Sequence, residues 1–321
     1  LGSPAINWDF RSIYLFHTKR IFFDSFIYSV ADNYASFSHN DYPLLVPAFS
    51  SSFAFLLGYW NEIFPKSAFT FMYLPPLIFL SSYLGIKKNI IFLSVLIFFI
   101  GQQLFNGGTD GIVSLYFITC SFCFYKIFFE KKNESIDFIF YILTFLFCIC
   151  LTLIKNEGLA LLFVIFVTTT LFVLIDKSFM IHLKKILILS ISFLPMLLWK
   201  LFCYNNNISN DYVNLNLFDQ VLPRLLDIEN YVLFFHYFFL SNEKAIIAIV
   251  AFLICFYINF DKKLFRYSLA LFLLYLFIIL IVHFSTPLDF IHQLETSSFR
   301  IIKTFTLLLG FFSVYNLKTY S

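Results

Sequence analysis

Residues 138–175 read FIFYILTFLFCICLTLIKNEGLALLFVIFVTTTLFVLI, two long apolar runs joined by a short polar turn. The runs cover 138–154 and 159–175, and the charged residues of the stretch, Lys155 and Glu157, lie in the turn. A helix needs about 20 mostly apolar residues to cross a bilayer. Both runs are apolar on every side instead of alternating, and a helix satisfies its backbone hydrogen bonds within one segment. The stretch therefore predicts a transmembrane helical hairpin.

The same pattern recurs along the chain, which has 321 residues, 60% of them hydrophobic and 13% charged. An average soluble domain is about 25% charged, so this chain has more apolar surface than a water-facing core can hide. We predict an all-α, polytopic transmembrane bundle that forms a single domain over 1–321. Because the chain begins at Leu1 without a Met, we expect that an N-terminal helix is missing from it. The predicted spans number nine: 67–85, 90–105, 111–129, 138–154, 159–175, 186–202, 245–260, 267–284 and 301–317.

Two shorter apolar stretches, 44–60 and 231–240, are predicted as juxtamembrane or re-entrant helices. Cytoplasmic loops are enriched in Lys and Arg, and every short basic cluster falls inside if Leu1 starts outside. The outer side then receives the first loop 1–66, the turn 155–158 and the loop 204–244, with core spans over 67–203 and C-terminal spans over 245–321. This orientation predicts a multi-pass protein of the cytoplasmic membrane with its chemistry on the periplasmic or extracellular side.

Composition also excludes several classes of function. The net charge of +3 is dispersed between apolar runs, whereas a nucleic-acid surface needs a clustered basic stripe. Most of the six cysteines lie within apolar runs, so we interpret them as packing residues and not as metal ligands or disulfides. Lys200 and two histidines near the ends of spans are interpreted as snorkelling side chains.

Three carboxylates on the predicted outer side are candidate site residues. Asp9 follows Trp8, and a carboxylate beside an aromatic ring suits sugar binding and proton transfer, although an interfacial Trp belt would give the same pair. Asp41 precedes an apolar helix and Asp110 begins another, so both also fit helix capping. Spacing alone does not separate a cap from a catalytic residue.

Two cations on the same side are candidate phosphate ligands. Lys155 lies at the bilayer surface, where it suits a lipid-linked phosphate as a point charge. A structural pair of Lys155 with Glu157 is an equally good interpretation. Arg300 lies at the outer mouth of the last span, where a guanidinium can hold a phosphate through two hydrogen bonds.

An ordered set of motifs resembles the GT-C superfamily of polytopic glycosyltransferases, in particular the bacterial protein mannosyltransferase and aminoarabinose transferase group, family 39-like. The motifs are Trp8-Asp9, 39–45 (HNDYPLL), Thr109-Asp110-Gly111, 153–159 (LIKNEGL) and the element from Thr286-Pro287 to Arg300. The resemblance covers the first 175 residues well, the last 40 moderately and the middle poorly. One departure is His292-Gln293, where relatives often carry Trp-His.

The resemblance implies an enzyme that moves a sugar from a polyprenyl-phosphate donor to a glycan or glycolipid acceptor at the outer face, with inversion. It implies that Asp9 is the base on the acceptor hydroxyl, that Asp41 and Asp110 line the same cavity, and that Lys155 holds the carrier phosphate. We expect Arg300 and Arg11 to assist Lys155. No cofactor is firmly expected, although Mg²⁺ or Mn²⁺ bridging the three acids is an alternative. The expected sugar or acceptor contacts are Trp8, His39, Tyr42 and Glu157.

Two other classes of protein compete with the enzyme. A transporter or lipid flippase would need coupled charges or broken helices at mid-bilayer, and the spans contain few such charges. A non-catalytic membrane scaffold would make the clustered carboxylates accidental. Among enzymes, a polymerase or ligase of surface glycans would share the same outer-face features.

Overall fold

The computed structural model describes residues 8–27, 34, 38–101, 107–130, 138–208 and 217–318, with the side chains of 217–220 left aside. All regular structure in these ranges is helical. Parts of the predicted loops 1–66 and 204–244, and the end of the predicted span 90–105, lie outside the described residues. The helices, in chain order, are α1 (Leu15–Asp24), α2 (Leu45–Leu57), α3 (Ile63–Ser82), α4 (Ile86–Ile100), α5 (Asp110–Phe129), α6 (Phe138–Ile154), α7 (Glu157–Ile175), α8 (Phe179–Ser190), α9 (Leu194–Asn205), α10 (Leu217–Leu226), α11 (Ile228–Phe235), α12 (Glu243–Ile258), α13 (Lys262–Ser285) and α14 (Phe290–Asn316).

Among the described residues, six helical segments are long and apolar enough to cross a membrane: α3, α5, α7, the continuous pair α8–α9, α13 and α14. A seventh is added if α11 and α12, which meet at a 75° bend, are counted as one span. The apolar helices indicate that the chain associates with a bilayer as a multi-pass protein.

The described part of each of the nine predicted spans falls on a helix, but three of these helices do not reach spanning length within the described residues. There α4 has 15 residues and α6 has 17, which is about 23–26 Å at 1.5 Å per residue, against a hydrocarbon core of about 30 Å; residues 102–106 after α4 and 131–137 before α6 are not described. α12 reaches that length only together with the bent α11. The count of nine spans therefore stays a prediction, while the positions of the helices are as expected.

The two short predicted helices also exist. α2 has 13 residues within the predicted stretch 44–60, too few to span. The stretch 231–240 belongs to α11 and a π-helical turn, His236–Leu240, that follows it. The prediction of non-spanning or re-entrant helices at both places agrees with these lengths.

α5 and α14 form the centre of the bundle. Nearly every side chain of α5 is buried, and α14 packs against α5, α4, α12 and α13. A buried hydrogen bond of 2.9 Å joins the hydroxyls of Ser114 on α5 and Thr304 on α14. Gly310 lets α14 approach α4 closely, because a Cβ there would lie 2.7 Å from Cγ1 of Val95. In contrast, α8–α9 is the least buried of the candidate spans, as expected for a helix on the lipid-facing side.

Candidate functional site

The first described helix and the last one are joined by an ion pair. Asp9 precedes a π-helical turn, Phe10–Tyr14, that leads into α1, and its carboxylate accepts from Nη1 of Arg300 on α14. The side chains of Asp9 and Arg300 are 34% and 29% exposed, so a ligand can reach both. The turn itself is anchored by Phe10, whose ring lies against Gly107 just before α5. Residues 291 positions apart in sequence thus form one charged site.

A second cluster forms around the turn between α6 and α7. Nζ of Lys155 lies 3.1 Å from Oδ1 of Asp110 and 2.8 Å from Oε1 of Glu157. The Lys155 side chain is buried, whereas that of Glu157 is half exposed. Burial alone would favour the neutral amine, but the two carboxylates outweigh it and hold the pKa of Lys155 well above its ordinary value. Lys155 is therefore a fixed positive charge at neutral pH.

The tightness of this turn depends on a glycine. Gly158 lies in the first turn of α7, and a Cβ there would fall 1.8 Å from the carbonyl oxygen of Leu151 on α6. Only a residue without a side chain allows α6 and α7 to approach so closely at this point. The close approach places Lys155 and Glu157 at the end of the hairpin, beside the start of α5.

Asp41 is the most buried of the three candidate acids, with its side chain 3% exposed. Its Oδ2 accepts from Nζ of Lys200 at 2.9 Å and from Nδ2 of Asn156 at 2.7 Å. Its backbone carbonyl accepts from Nε1 of Trp199 at 2.9 Å. Asn156 is the neighbour of Lys155, so Asp41 is tied to the same turn that holds Asp110.

An aromatic layer lies between these charges. The hydroxyl of Thr109, next to Asp110, donates to the Tyr14 hydroxyl at 2.9 Å. Burial raises the pKa of Tyr14 above its ordinary value although the charge of Lys155 opposes this, so Tyr14 is a neutral phenol. The Tyr42 ring lies 6.4 Å from that of Tyr14, and the His39 ring stacks on Tyr42 at 4.7 Å. This layer connects the Asp9 segment with the Asp110 segment.

Most of the predicted site residues thus gather at one end of the bundle. We call it the ion-pair end, defined by the pairs Asp9–Arg300, Asp41–Lys200 and Asp110–Lys155. Trp8 is 59% exposed beside it. Arg11 is also exposed, and it forms no ion pair or hydrogen bond with another described residue. Its expected role at a phosphate has no contact here to support it.

The structure decides two alternatives that the spacing left open. α2 begins at Leu45 with Leu44 as its N-cap, so Asp41 is not the cap of that helix and pairs with Lys200 instead. The N-cap of α5 is Thr109, and the carboxylate of Asp110 reaches across to Lys155. The expected structural pair of Lys155 with Glu157 is present together with the contact to Asp110.

Sequence reasoning missed Lys200, whose interpretation as a snorkelling residue is wrong because its ammonium pairs with the buried Asp41. It gave no role to Asn156 and Thr109, which lie within the quoted motifs, and it missed Trp199 and Tyr14. A lone Lys near the end of an apolar run carries no signal of its partner, since that partner lies 159 positions away in the chain. The neighbour Trp199 was the one hint, because an indole N–H in an apolar region needs an acceptor.

The arrangement bears on the expected metal. In the parts of the chain that the structure describes, no three His, Cys, Asp or Glu side chains lie close enough together to hold an ion. Asp9, Asp41 and Asp110 each face a different cation, which does not form a ready site for one ion bridging all three. Mg²⁺ or Mn²⁺ stays an untested alternative, and no step below depends on it.

Comparison with models of protein families, with curated proteins and with solved structures found no match to this chain. The resemblance to the GT-C glycosyltransferases therefore stays a prediction, and any function must be argued from the ion-pair end itself.

Proposed function

We propose that this chain is a membrane glycosyltransferase that moves a sugar from a polyprenyl-phosphate donor to a glycan or glycolipid acceptor, with inversion. The observation that carries the proposal is the ion-pair end, where a half-exposed carboxylate and two cations from distant segments lie together beside the apolar helices. Such a transfer needs a base for the acceptor hydroxyl and positive charge for the leaving phosphate. Asp9, Arg300 and Lys155 supply these two requirements.

Asp9 is the proposed base. Its carboxylate is paired with Arg300, and a donor phosphate that binds the guanidinium competes with Asp9 for it. Asp9 then accepts the proton of the acceptor hydroxyl, whose oxygen forms a bond to the anomeric carbon. The bond from that carbon to the phosphate oxygen breaks, and the polyprenyl phosphate leaves with the electron pair. Arg300 and Lys155 offset the charge on the leaving group.

The other residues have supporting roles in this proposal. Asp41 is too buried to reach a substrate easily, and through Asn156 it positions the turn that carries Lys155. Asp110 fixes the Lys155 ammonium. Trp8, His39, Tyr42 and the exposed Glu157 are the proposed contacts of sugar or acceptor. The outer side of the cytoplasmic membrane is the proposed location of this end, from the positive-inside pattern.

The proposal is tested in cells that lack the gene, by mass spectrometry of their surface glycans and glycolipids. We expect a sugar-sized mass to disappear and to return with the wild-type gene but not with Asp9→Asn. Asp24→Asn is the matched control, because Asp24 is an exposed carboxylate at the end of α1 with no ion pair among the described residues. Restoration by Asp9→Asn at equal protein level would reject Asp9 as the base, and no change in any glycan mass would reject the enzyme.

The second candidate function is a lipid flippase or transporter. The 75° bend between α11 and α12 favours it, because broken helices are a feature of transport proteins. It predicts that purified protein in vesicles moves a fluorescent polyprenyl-phosphate lipid between leaflets equally well with Asp9→Asn. The glycosyltransferase predicts no such movement, and a sugar transfer that depends on Asp9.

A further inference from the structure

A second polar region lies at the opposite end of the central helices. Lys126 is in the last turn of α5, 16 residues after Asp110, which is about 24 Å along a helix. Tyr315 is close to the end of α14, far beyond Arg300. Here an open cavity of ≈ 1170 Å³ lies between the starts of α4 and α13 and the end of α14. We call it the basic cavity, and the residues that matter below are Lys88, Asp261, Lys262, Lys263, Tyr315 and Lys318.

One lysine is fixed in the wall of the basic cavity. Nζ of Lys88 donates to the backbone carbonyl of Tyr315 at 2.8 Å and lies 5.7 Å from the centre of the Tyr315 ring. A cation at the C-terminus of α14 also interacts favourably with the helix dipole. Both contacts hold the ammonium in place without neutralising its charge.

One carboxylate, that of Asp261, also lines the cavity. Oδ1 of Asp261 accepts from the backbone N–H groups of Lys263 and Leu264 at 3.0 Å, so it caps α13. Lys263 pairs with Asp176 at 2.8 Å. Lys262 and Lys318 are exposed and form no ion pair or hydrogen bond with any residue that the structure describes. Among the described residues that line it, the cavity thus gathers four lysines from three segments, and they outnumber the one carboxylate.

Because the lysines outnumber the carboxylate, the lining has a net positive charge, which attracts an anion. A phosphate has the oxygens to accept from more than one ammonium, and lysines bind it as point charges. Basic pockets between transmembrane helices are known to hold phosphate headgroups. Simple snorkelling would not need lysines of separate helices to share one cavity.

We propose that the basic cavity binds a phosphate-bearing anion, either the headgroup of an anionic lipid or free phosphate. This site is separate from the ion-pair end and does not depend on the proposed function. Lys88 supplies a fixed cation at the wall, and Lys262 and Lys318 close over the phosphate from α13 and from the residues after α14.

The test is calorimetric titration of the purified chain in an uncharged detergent. The probes are dihexanoyl phosphatidylglycerol, dihexanoyl phosphatidylcholine and inorganic phosphate. We expect saturable binding of phosphatidylglycerol, inorganic phosphate or both, weakening with added salt, and none of the net-neutral phosphatidylcholine. Binding of phosphatidylglycerol alone identifies a lipid headgroup, and inorganic phosphate that displaces it identifies the phosphate group itself as sufficient.

The matched variants are the double substitutions Lys262→Gln/Lys318→Gln and Lys177→Gln/Lys184→Gln, all at exposed lysines. A lysine near an anionic headgroup contributes about 1 kcal/mol, so the first pair should weaken binding about 30-fold. The second pair lies outside the cavity and should leave the affinity unchanged. No saturable binding by wild type, an unchanged affinity of the first pair or an equal loss in both pairs would overturn the proposal.

Discussion

Charged side chains have different kinds of partner at the two ends of the central helices. At the ion-pair end, Asp9, Asp41 and Asp110 each face a cation from another part of the chain. At the other end, Lys126 pairs with Glu130 one helical turn away at 2.5 Å, and the pair between helices, Lys263 with Asp176, is exposed at both side chains. Long-range buried pairs fix the positions of helices, whereas local pairs and exposed pairs contribute little. The comparison predicts that similar substitutions lower the free energy of unfolding more at the ion-pair end than at the opposite end.

The largest expected effect is that of Lys155→Met. It leaves Asp110 and the half-exposed Glu157 without their cation, and breaking a buried pair costs about 3 kcal/mol or more. Chemical unfolding of the detergent-solubilised protein measures the change. Lys177→Met removes an exposed lysine and should cost less than about 0.5 kcal/mol. Equal losses in the two variants would contradict the assignment of Lys155 as a buried structural cation.

The contribution of Lys155 to the free energy of unfolding should also depend on pH, which makes that prediction more specific. The pKa of Lys155 is raised above its usual 10.5 by Asp110 and Glu157 against the effect of burial. Its stabilisation is therefore fully present below about pH 10.5 and is lost as the pH rises through the higher folded-state pKa. The difference in unfolding free energy between wild type and Lys155→Met should be constant from about pH 8 to 10. A decline within that range would mean that the folded pKa is not raised.

Glycine-to-alanine substitutions compare how tightly the backbone is packed at the two ends of the central helices. In Gly158→Ala, the new Cβ meets the Leu151 carbonyl oxygen, so α6 and α7 must separate at the cost of about 1–3 kcal/mol. Gly85→Ala is the control beside the basic cavity, since nothing lies within 4 Å of a Cβ there. Thermal unfolding should separate the two variants clearly. A Gly158→Ala protein as stable as the control would show that the hairpin is looser than described.

A double-mutant cycle of Asp41→Asn and Lys200→Met measures the pair that sequence reasoning missed. We expect a coupling energy of about 1–2 kcal/mol, because the carboxylate is buried and the ammonium partly so. A coupling energy near zero would mean that Lys200 does not stabilise Asp41 and instead faces the lipid.

A double-mutant cycle at the opposite end of the central helices should give the smallest coupling energy. Lys126→Gln with Glu130→Gln removes a pair one helical turn apart whose carboxylate is 39% exposed, and pairs at this spacing in a helix contribute about 0.3–0.5 kcal/mol. A coupling larger than that of Asp41 with Lys200 would reverse the comparison between the two ends.

Much of the fold followed from local patterns in the sequence. The described part of every predicted span falls on a helix, because a single apolar run within a bilayer satisfies its backbone hydrogen bonds by forming one. The span count was less predictable, since α12 reaches spanning length only together with the bent α11. Whether a short apolar helix crosses a bilayer depends on tilt and neighbours, which local composition does not contain.

The candidate site, like the fold, was only partly predictable from the sequence. The residue types at Asp9, Asp110, Lys155 and Arg300 marked them as candidates, because carboxylates and cations at a membrane surface suit proton transfer and phosphate binding. The sequence did not identify their partners, because a carboxylate before a helix predicts a cap whether or not a lysine lies close to it in the fold. Asp41 is the clearest example: its position predicts a cap, and its contacts give an ion pair with Lys200.

The sequence by itself determined that this chain is helical, apolar and charged mainly at the ends of its helices, because these properties depend on residues near each other in the chain. Tertiary structure decided which charges meet. The pairing of Asp9 with Arg300 and the gathering of lysines at the basic cavity join segments far apart in sequence. The physical reason is that Coulomb energy depends on distance in space, and only the packing of α5 and α14 with their neighbours fixes that distance.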